Sequence, residues 1–338
     1  MQHIEKSGDN DKNTDRPRSV YIATYGCQMN LRDSEVVRGL LEIKGYKFTD
    51  DKGKADIVIL NTCAVRQHAE DKVWSEIGAI KPGKIIGLTG CMAQSYKENA
   101  FERAPTLSFL VGPSDIQKIP AILEDIIKTR GASKKPSLFE KKVFETDGSL
   151  RPEHIYHTGF YDNKDHAYVV ISEGCSNFCS YCVVPFVRGN LRHRKFTDIL
   201  EEINQATAKG INKVTLLGQN VSAYADNKKN FISLIEAVNS MQEIKELTFM
   251  TSHPKDTSTE LFKAMAELDK LKKYLHLPLQ SGSDKILKLM NRKYTRESYL
   301  NLIKNYRKIV KGGILTTDII VGFPSESADD FKDTLLQA

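Results

Sequence analysis

AYVVISEGCSNFCSYC (167–182) runs from an apolar strand candidate directly into three cysteines, Cys175, Cys179 and Cys182, spaced C-x3-C-x2-C. Three thiols on one tight loop are one short of a structural zinc site and an odd number for disulfides. An iron–sulfur cubane ligated through three of its irons fits that number and leaves one iron open to a further ligand. Tyr181, just before the last cysteine, would set an aromatic edge and a backbone group against that ligand. Zinc completed by a distant ligand is the alternative reading of the same loop.

Outward from this loop, apolar runs alternate with amphipathic ones. AYVVISE (167–173), KVTLLG (213–218), ELTFMTS (246–252), YLHLPLQ (274–280) and TTDIIVG (316–322) are strand candidates. The helix signals between them include DILEEINQATAKG (198–210), where Asp198 and Glu201 have capping-box spacing, and ESYLNLIKNYRKIVKGG (297–313), closed by glycines. This predicts an α/β fold, a partial β/α barrel over 166–338 with its site at the C-terminal strand ends.

The first part of the chain repeats the same unit. SVYIATYG (19–26), DIVILNT (56–62) and KIIGLTG (84–90) are buried-strand candidates, each followed by a helical pattern. In the first of those helices Ser34 is placed to cap the start and Gly45 to end it. An N-terminal α/β domain with a parallel sheet is therefore expected over 18–130, after a solvated tail over 1–17 and before a turn-rich, charged linker over 131–165. Cys27, Cys63 and Cys91 each follow one of these strands and sit near a helix start. Neighbouring parallel strands end on one edge, so the three thiols are expected to converge; three separately buried cysteines are the plainer alternative.

Of 338 residues, 40% are hydrophobic and 27% charged, as in a globular protein. No apolar run approaches the roughly 20 residues of a membrane span, and the N-terminus lacks a signal-peptide core, so a cytoplasmic protein without a membrane partner is expected. Closely spaced cysteines in such a chain favour metal or catalysis over disulfides. The formal charge of +6 permits a polyanionic partner without demanding one.

The cysteine loop at the first barrel strand resembles that of the radical S-adenosylmethionine (SAM) enzymes. YGCQMN, NTCAVR, GCMAQ, GCSNFCSYCVVPFVRG, LLGQNV, HLPLQSGSD and DIIVGFPSE, in that order, are similar to the methylthiotransferases among them, across about residues 18–337. TYGCQMN and NTCAVRQHAEDKV resemble the branch acting on N6-isopentenyladenosine in tRNA more than its sister branches. The resemblance implies a 4Fe–4S cluster on Cys175, Cys179 and Cys182 that binds SAM and, once reduced, cleaves it to a 5′-deoxyadenosyl radical. It implies a second 4Fe–4S cluster on Cys27, Cys63 and Cys91 that carries sulfur, and transfer of a methylthio group to carbon 2 of the adenine next to the anticodon. An electron donor such as flavodoxin or ferredoxin, and a monomeric enzyme, are expected with it.

By the same resemblance Gly218, Gln219, Gln280, Ser281 and Gly322 join Tyr181 as SAM contacts. Arg188, Arg192 and Arg194, in a basic loop with His193 and Lys195, are expected to meet phosphates; a solvated charged loop is the alternative. Trp74 is expected in the core, and His68, His154 and His157 as structural residues. Ser325 stands where such proteins often have glycine, which bears on the backbone of that loop. A C-terminal tRNA-binding β-barrel is part of the resemblance, but no stretch here is similar to it, so that domain is expected to be absent; the sequence stops at DFKDTLLQA (330–338), in what reads as the helix after the fifth strand, so the radical SAM β/α barrel over 166–338 is expected to be incomplete at its C-terminus. A sister methylthiotransferase, a non-catalytic iron–sulfur electron carrier and a zinc-dependent RNA-binding module are the competing readings.

Overall fold

The structure is a computed structural model that describes residues 18–64, 67–132, 142–146 and 151–337; the expected tail over 1–17 lies outside them. Its N-terminal half is a parallel sheet built from β1 (Ser19–Tyr25), β2 (Lys47–Phe48), β3 (Ile57–Thr62), β4 (Ile85–Gly90), β5 (Phe109–Val111) and β6 (Val143–Glu145), in the order β2-β1-β3-β4-β5-β6. Helices α1 (Gln28–Ile43), α2 (Gln67–Ala79), α3 (Cys91–Tyr96), α4 (Asn99–Arg103) and α5 (Ile119–Ala132) connect the strands. β3 and β4 are buried along their whole length, which explains their unbroken apolar runs.

Two local expectations are revised. Helix α1 starts at Gln28 rather than near Ser34, with Cys27 as its N-cap, and Ser34 lies inside it, sharing a hydrogen bond with Thr24 Oγ1 (2.7 Å) and accepting one from Asn61 Nδ2 (2.9 Å). The stretch 131–165 is more than a linker. Val143 and Phe144 form an edge strand paired with β5, and Ile155 and Tyr156 pack into the N-terminal core. Gly45 ends α1 as expected, with φ +83°.

The second half holds β7 (His166–Val170), β8 (Ser172–Glu173), α6 (Val184–Arg188), β9 (Arg192–His193), α7 (Phe196–Thr207), β10 (Lys213–Leu217), the hairpin β11 (Ala225–Asp226) and β12 (Lys229–Asn230), and α8 (Phe231–Asn239). It continues through β13 (Glu246–Met250), α9 (Thr259–Glu267), β14 (Tyr274–His276), α10 (Asp284–Leu289), α11 (Arg296–Ile309), β15 (Ile314–Thr316) and α12 (Ala328–Leu335). Strands β7, β10 and β13 pair in parallel, a bridge from Leu247 to Leu271 leads on to β14, and β14 pairs in parallel with β15. This is the five-strand arc of a partial barrel, with its helices packed outside an aliphatic core.

Asp198 does not cap α7. The helix starts at Phe196, whose N–H is taken by Asp226 Oδ2 (2.8 Å), while the Asp198 carboxylate turns to Arg194 and His157. The two halves also share one core, because Val170 and Leu217 of the barrel pack with Val36, Ile116 and Tyr156.

Ser325 adopts φ +72°, the left-handed conformation that glycine reaches without strain. Ser325→Gly should therefore stabilise the chain by about 0.5–1 kcal/mol, after allowing for glycine's larger unfolded-state entropy. A higher urea midpoint with an unchanged slope is the expected result.

Candidate iron–sulfur and SAM site

Strand register brings the first three cysteines to one edge. Thr62 pairs with both Tyr25 and Gly90, so Cys63 and Cys91 each stand one residue past the same rung and Cys27 two past it. Parallel strands lie about 4.8 Å apart, which makes these neighbouring positions. Gly90, at φ +89°, lets the chain turn into α3; a Cβ there would stand 2.4 Å from Asn61 Oδ1. Asn61 and Asn30 form a buried amide pair (2.9 Å) between the strand ends, and Cys27 Sγ donates to Asn30 Oδ1 (3.3 Å). Cys63 and Cys91 are buried and Cys27 half-buried. Beside them, Thr89 Oγ1 is buried with no hydrogen-bond partner among the described residues.

The other three cysteines lie on a loop pinched at its base. β8 and β9 pair antiparallel, Ser172 with His193 and Glu173 with Arg192, and Cys175 N–H donates to Gly189 O (3.1 Å). Gly174 (φ +69°) starts the loop where a Cβ would stand 2.3 Å from Asn190 O. From the far side, Ser180 N–H donates to Met290 O (3.1 Å) and Asn291 Nδ2 to Phe178 O (2.7 Å). Arg292, itself buried, donates from Nη1 to Cys179 Sγ (3.3 Å). Burial pushes the Cys175 and Cys182 thiols up, as it does Cys91 against the opposing pull of Arg188.

Among the described residues no three His, Cys, Asp or Glu side chains close on a single ion. One zinc needs its thiolates about 2.3 Å from a common centre, whereas a cubane binds each through a different iron and so spaces them further apart. The donor set, all cysteine in two sets of three, fits two clusters. A polar ligand also has partners here. Ser172 Oγ, Asn220 Oδ1 and Ser252 Oγ, just past the ends of β7, β10 and β13, are buried with no hydrogen-bond partner among the described residues.

The expected SAM contacts separate. Tyr181 is 38% exposed at the mouth and meets Phe323 edge-on (6.5 Å), which brings the Gly322 turn beside the cysteine loop. Gly218 packs against Ser172, where a Cβ would stand 2.4 Å from Oγ, and Gln219 is half-buried next to it. Gln280, at φ +67°, bridges to Ile319. Ser281 instead points inward, fully buried, toward Thr334 (3.4 Å) and Ser283 N–H (3.2 Å).

The expected phosphate contacts change most. Arg188 and Arg194 are buried, neither solvated nor presented to a polyanion. Arg188 reaches across to the N-terminal half, donating from Nε to Cys91 Sγ (3.2 Å) and from Nη2 to Asp33 Oδ2 (3.0 Å). Burial pushes the Asp33 carboxyl up, but Arg151 and Arg188 outweigh it and hold it below its usual range. Arg194 pairs with Asp198 and Glu202, and Glu202 also takes Arg32 of α1 (2.9 Å). Arg192 alone of the three keeps partial exposure, 26% of its side chain, beside Glu173. Trp74 is half-buried against Tyr96, and His157 joins the ionic junction through Asp198 (2.7 Å).

Residues 169–338 match the radical SAM superfamily and residues 19–112 an uncharacterized family designated UPF0004. The chain is 43% identical over 322 residues to tRNA-2-methylthio-N(6)-dimethylallyladenosine synthase of Thermosipho melanesiensis, covering 94% of this chain and 72% of the relative. It is 42% identical over 351 residues to the protein of the same name from Caldicellulosiruptor saccharolyticus, covering 99% and 72%. The chain belongs to the tRNA-2-methylthio-N(6)-dimethylallyladenosine synthase family. Within solved structures this synthase-family fold resembles the radical SAM methyltransferase TsrM of Kitasatospora setae (TM-score 0.63, 13% identity, 95% of this chain and 70% of that one). It also resembles the cobalamin-dependent radical SAM enzyme OxsB (TM-score 0.61, 15% identity, 95% and 52%). At those identities the likeness is one of fold.

His253, behind Arg292, accepts from Lys255 N–H (3.2 Å), and burial together with Arg292 and Lys255 pushes its pKa down to about 3. An unfolded histidine titrates near about 6.5, so between those values the unfolded chain binds a proton that the folded one does not, and stability is lost as pH falls through the window. Asn at this position keeps the cap and does not titrate. His253→Asn should remove on the order of 2 kcal/mol from the loss of stability between pH 7 and pH 4, read by urea unfolding of the metal-free protein.

Proposed function

We propose that this chain adds a methylthio group to carbon 2 of N6-isopentenyladenosine next to the anticodon of tRNA, as a radical SAM transferase using SAM and two 4Fe–4S clusters. The observation that carries this reading is the pair of three-cysteine sets, one at the strand ends of each half, with Arg188 of the helix that follows the second set donating to Cys91 of the first. Cys175, Cys179 and Cys182 would hold the SAM-binding cluster, and Cys27, Cys63 and Cys91 the other. When bound, the clusters and SAM supply the one-electron reduction, the radical and the sulfur.

The chain's own groups hold, orient and shield those reactants. Burial of Cys63 and Cys91 keeps bulk water from the first site. The unpartnered Ser172, Asn220 and Ser252 oxygens would take the polar groups of SAM, with Gly218, Gln219, Gln280 and the Gly322 turn beside them. Tyr181 and Phe323 would wall the mouth where the nucleoside enters. Arg192, paired with Glu173 (3.2 Å) but partly exposed, is the arginine placed to meet a phosphate, while Arg188 and Arg194 could do so only by giving up fully buried ion pairs. No described helix is long and apolar enough to cross a membrane. A monomeric cytoplasmic enzyme reduced by a flavodoxin or ferredoxin completes the reading.

Anaerobic reconstitution should give about eight irons per chain, falling to about four when either cysteine set is replaced by alanine. With SAM, dithionite and tRNA bearing isopentenyladenosine, a nucleoside digest should contain the 2-methylthio product. Cys63→Ala should still form 5′-deoxyadenosine but no methylthio product; a product found only on threonylcarbamoyladenosine tRNA would overturn the substrate assignment.

A further inference from the structure

We infer that Arg188 and Arg292 are a matched pair of positioning residues, each steadying one cysteine site by donating a guanidinium N–H to a cysteine sulfur. The inference rests on the proposed role of the six cysteines as cluster ligands and concerns residues outside that set.

Arg292 makes the stronger electrostatic case. It is 9% exposed, and its polar partners are Cys179 Sγ (3.3 Å), Tyr181 Oη (3.5 Å), Tyr294 Oη (3.2 Å) and Pro278 O (3.5 Å). Among the described residues no ion pair joins it to a carboxylate, and the side chains it reaches are two tyrosines and Cys179. A buried cation without a counter-ion is costly, and a neutral thiol is a weak acceptor that does little to offset the cost. A thiolate on a cluster supplies the missing negative charge where the guanidinium already points.

Arg188 is arranged similarly at the other site. It is 4% exposed and sits at the end of α6, which follows the cysteine loop, yet its Nε donates to Cys91 Sγ of the opposite half (3.2 Å). Around it, Arg151, Arg188 and Arg192 face the carboxylates of Asp33 and Glu173, an excess of one cation against the cysteine. Hydrogen bonds to ligating sulfurs stabilise the more negative, reduced cluster and so raise its potential. Because Arg188 comes from the barrel, the position of one cluster's ligand is set by the segment that carries the other's.

The test is a redox titration followed by electron paramagnetic resonance on reconstituted full-length protein, with each cluster isolated by replacing the opposite cysteine set with alanine. Arg188→Gln should lower the midpoint of the N-terminal cluster by about 59 mV, a tenfold loss of reduced-state stabilisation for a one-electron couple, and leave the barrel cluster unmoved. Arg292→Gln should do the reverse, and lysine at either place should restore part of the shift. Should a Gln variant lose its irons, the Lys variant decides: irons regained at a lowered potential support the inference, and irons regained at the wild-type potential, or not regained, overturn it. Unchanged potentials with about eight irons in the wild type would overturn this inference alone; about four irons in the wild type would overturn the two-cluster reading and this inference with it.

Discussion

The two halves are fixed to each other by carboxylates trapped between guanidinium groups that come from different parts of the chain. Asp33 lies between Arg151 and Arg188, and Glu202 between Arg32 and Arg194, all buried. Charges removed from water this far are stable only while each keeps its partners, so sliding one half against the other would leave several of them uncompensated. That penalty, about 3–5 kcal/mol for each buried pair broken, depends on direction and distance in a way that apolar burial does not. It converts an interface between two ordinary α/β units into a fixed geometry, and both cysteine sites hang from it.

Within each half, the thiols are placed by more local constraints. In the N-terminal half, strand register alone places Cys63 and Cys91 on adjacent chains at one level, and the Asn30–Asn61 amide pair ties the start of α1 to that level. In the barrel half, a short antiparallel ladder closes the loop that carries the other three. Glycine precedes Cys27, Cys91 and Cys175, while Thr62 precedes Cys63; at Gly90 and Gly174 a side chain would collide with neighbouring backbone or amide atoms within 2.4 Å. Tight turns with little room for rearrangement hold the thiols in place, as the ligand role proposed for them would require.

Much of this was legible in the sequence because it is local. Strand runs, the C-x3-C-x2-C spacing and the placement of Cys27, Cys63 and Cys91 after strands need only short windows of chain. What was not legible depends on partners far away. Ser34 and Asp198 carry correct capping chemistry, but Asn61 claims the first and Arg194 and His157 the second, so propensity gave way to tertiary bonding. Arg188 read as part of a basic surface loop because its carboxylate, Asp33, lies 155 residues away; Arg194 has its partners close by, Asp198 and Glu202 of α7, but its burial depends on how that helix packs. Arg292 gave no signal at all: it stands 113 residues from the cysteine it touches.

Backbone strain is distributed around the barrel mouth in a way the apolar core does not require. Phe178, Thr251, Gln280 and Ser325 all hold positive φ, at +49°, +74°, +67° and +72°, and all lie on segments that follow strands or carry the cysteine loop. For a β-branched residue such as Thr251 this conformation is an outlier, and such strain persists only where surrounding contacts over-determine it. Here those contacts are visible: Thr251 O accepts from Val221 N–H (3.0 Å), and Gln280 exchanges bonds with Asp318 O and Ile320 N–H (2.9 Å each). The turns are thus locked to neighbouring strands, while Ser172, Asn220 and Ser252 beside them keep oxygens with no partner among the described residues. A mouth whose backbone is strained into shape and whose polar groups are left unmatched is organised for a ligand rather than for the stability of the empty barrel.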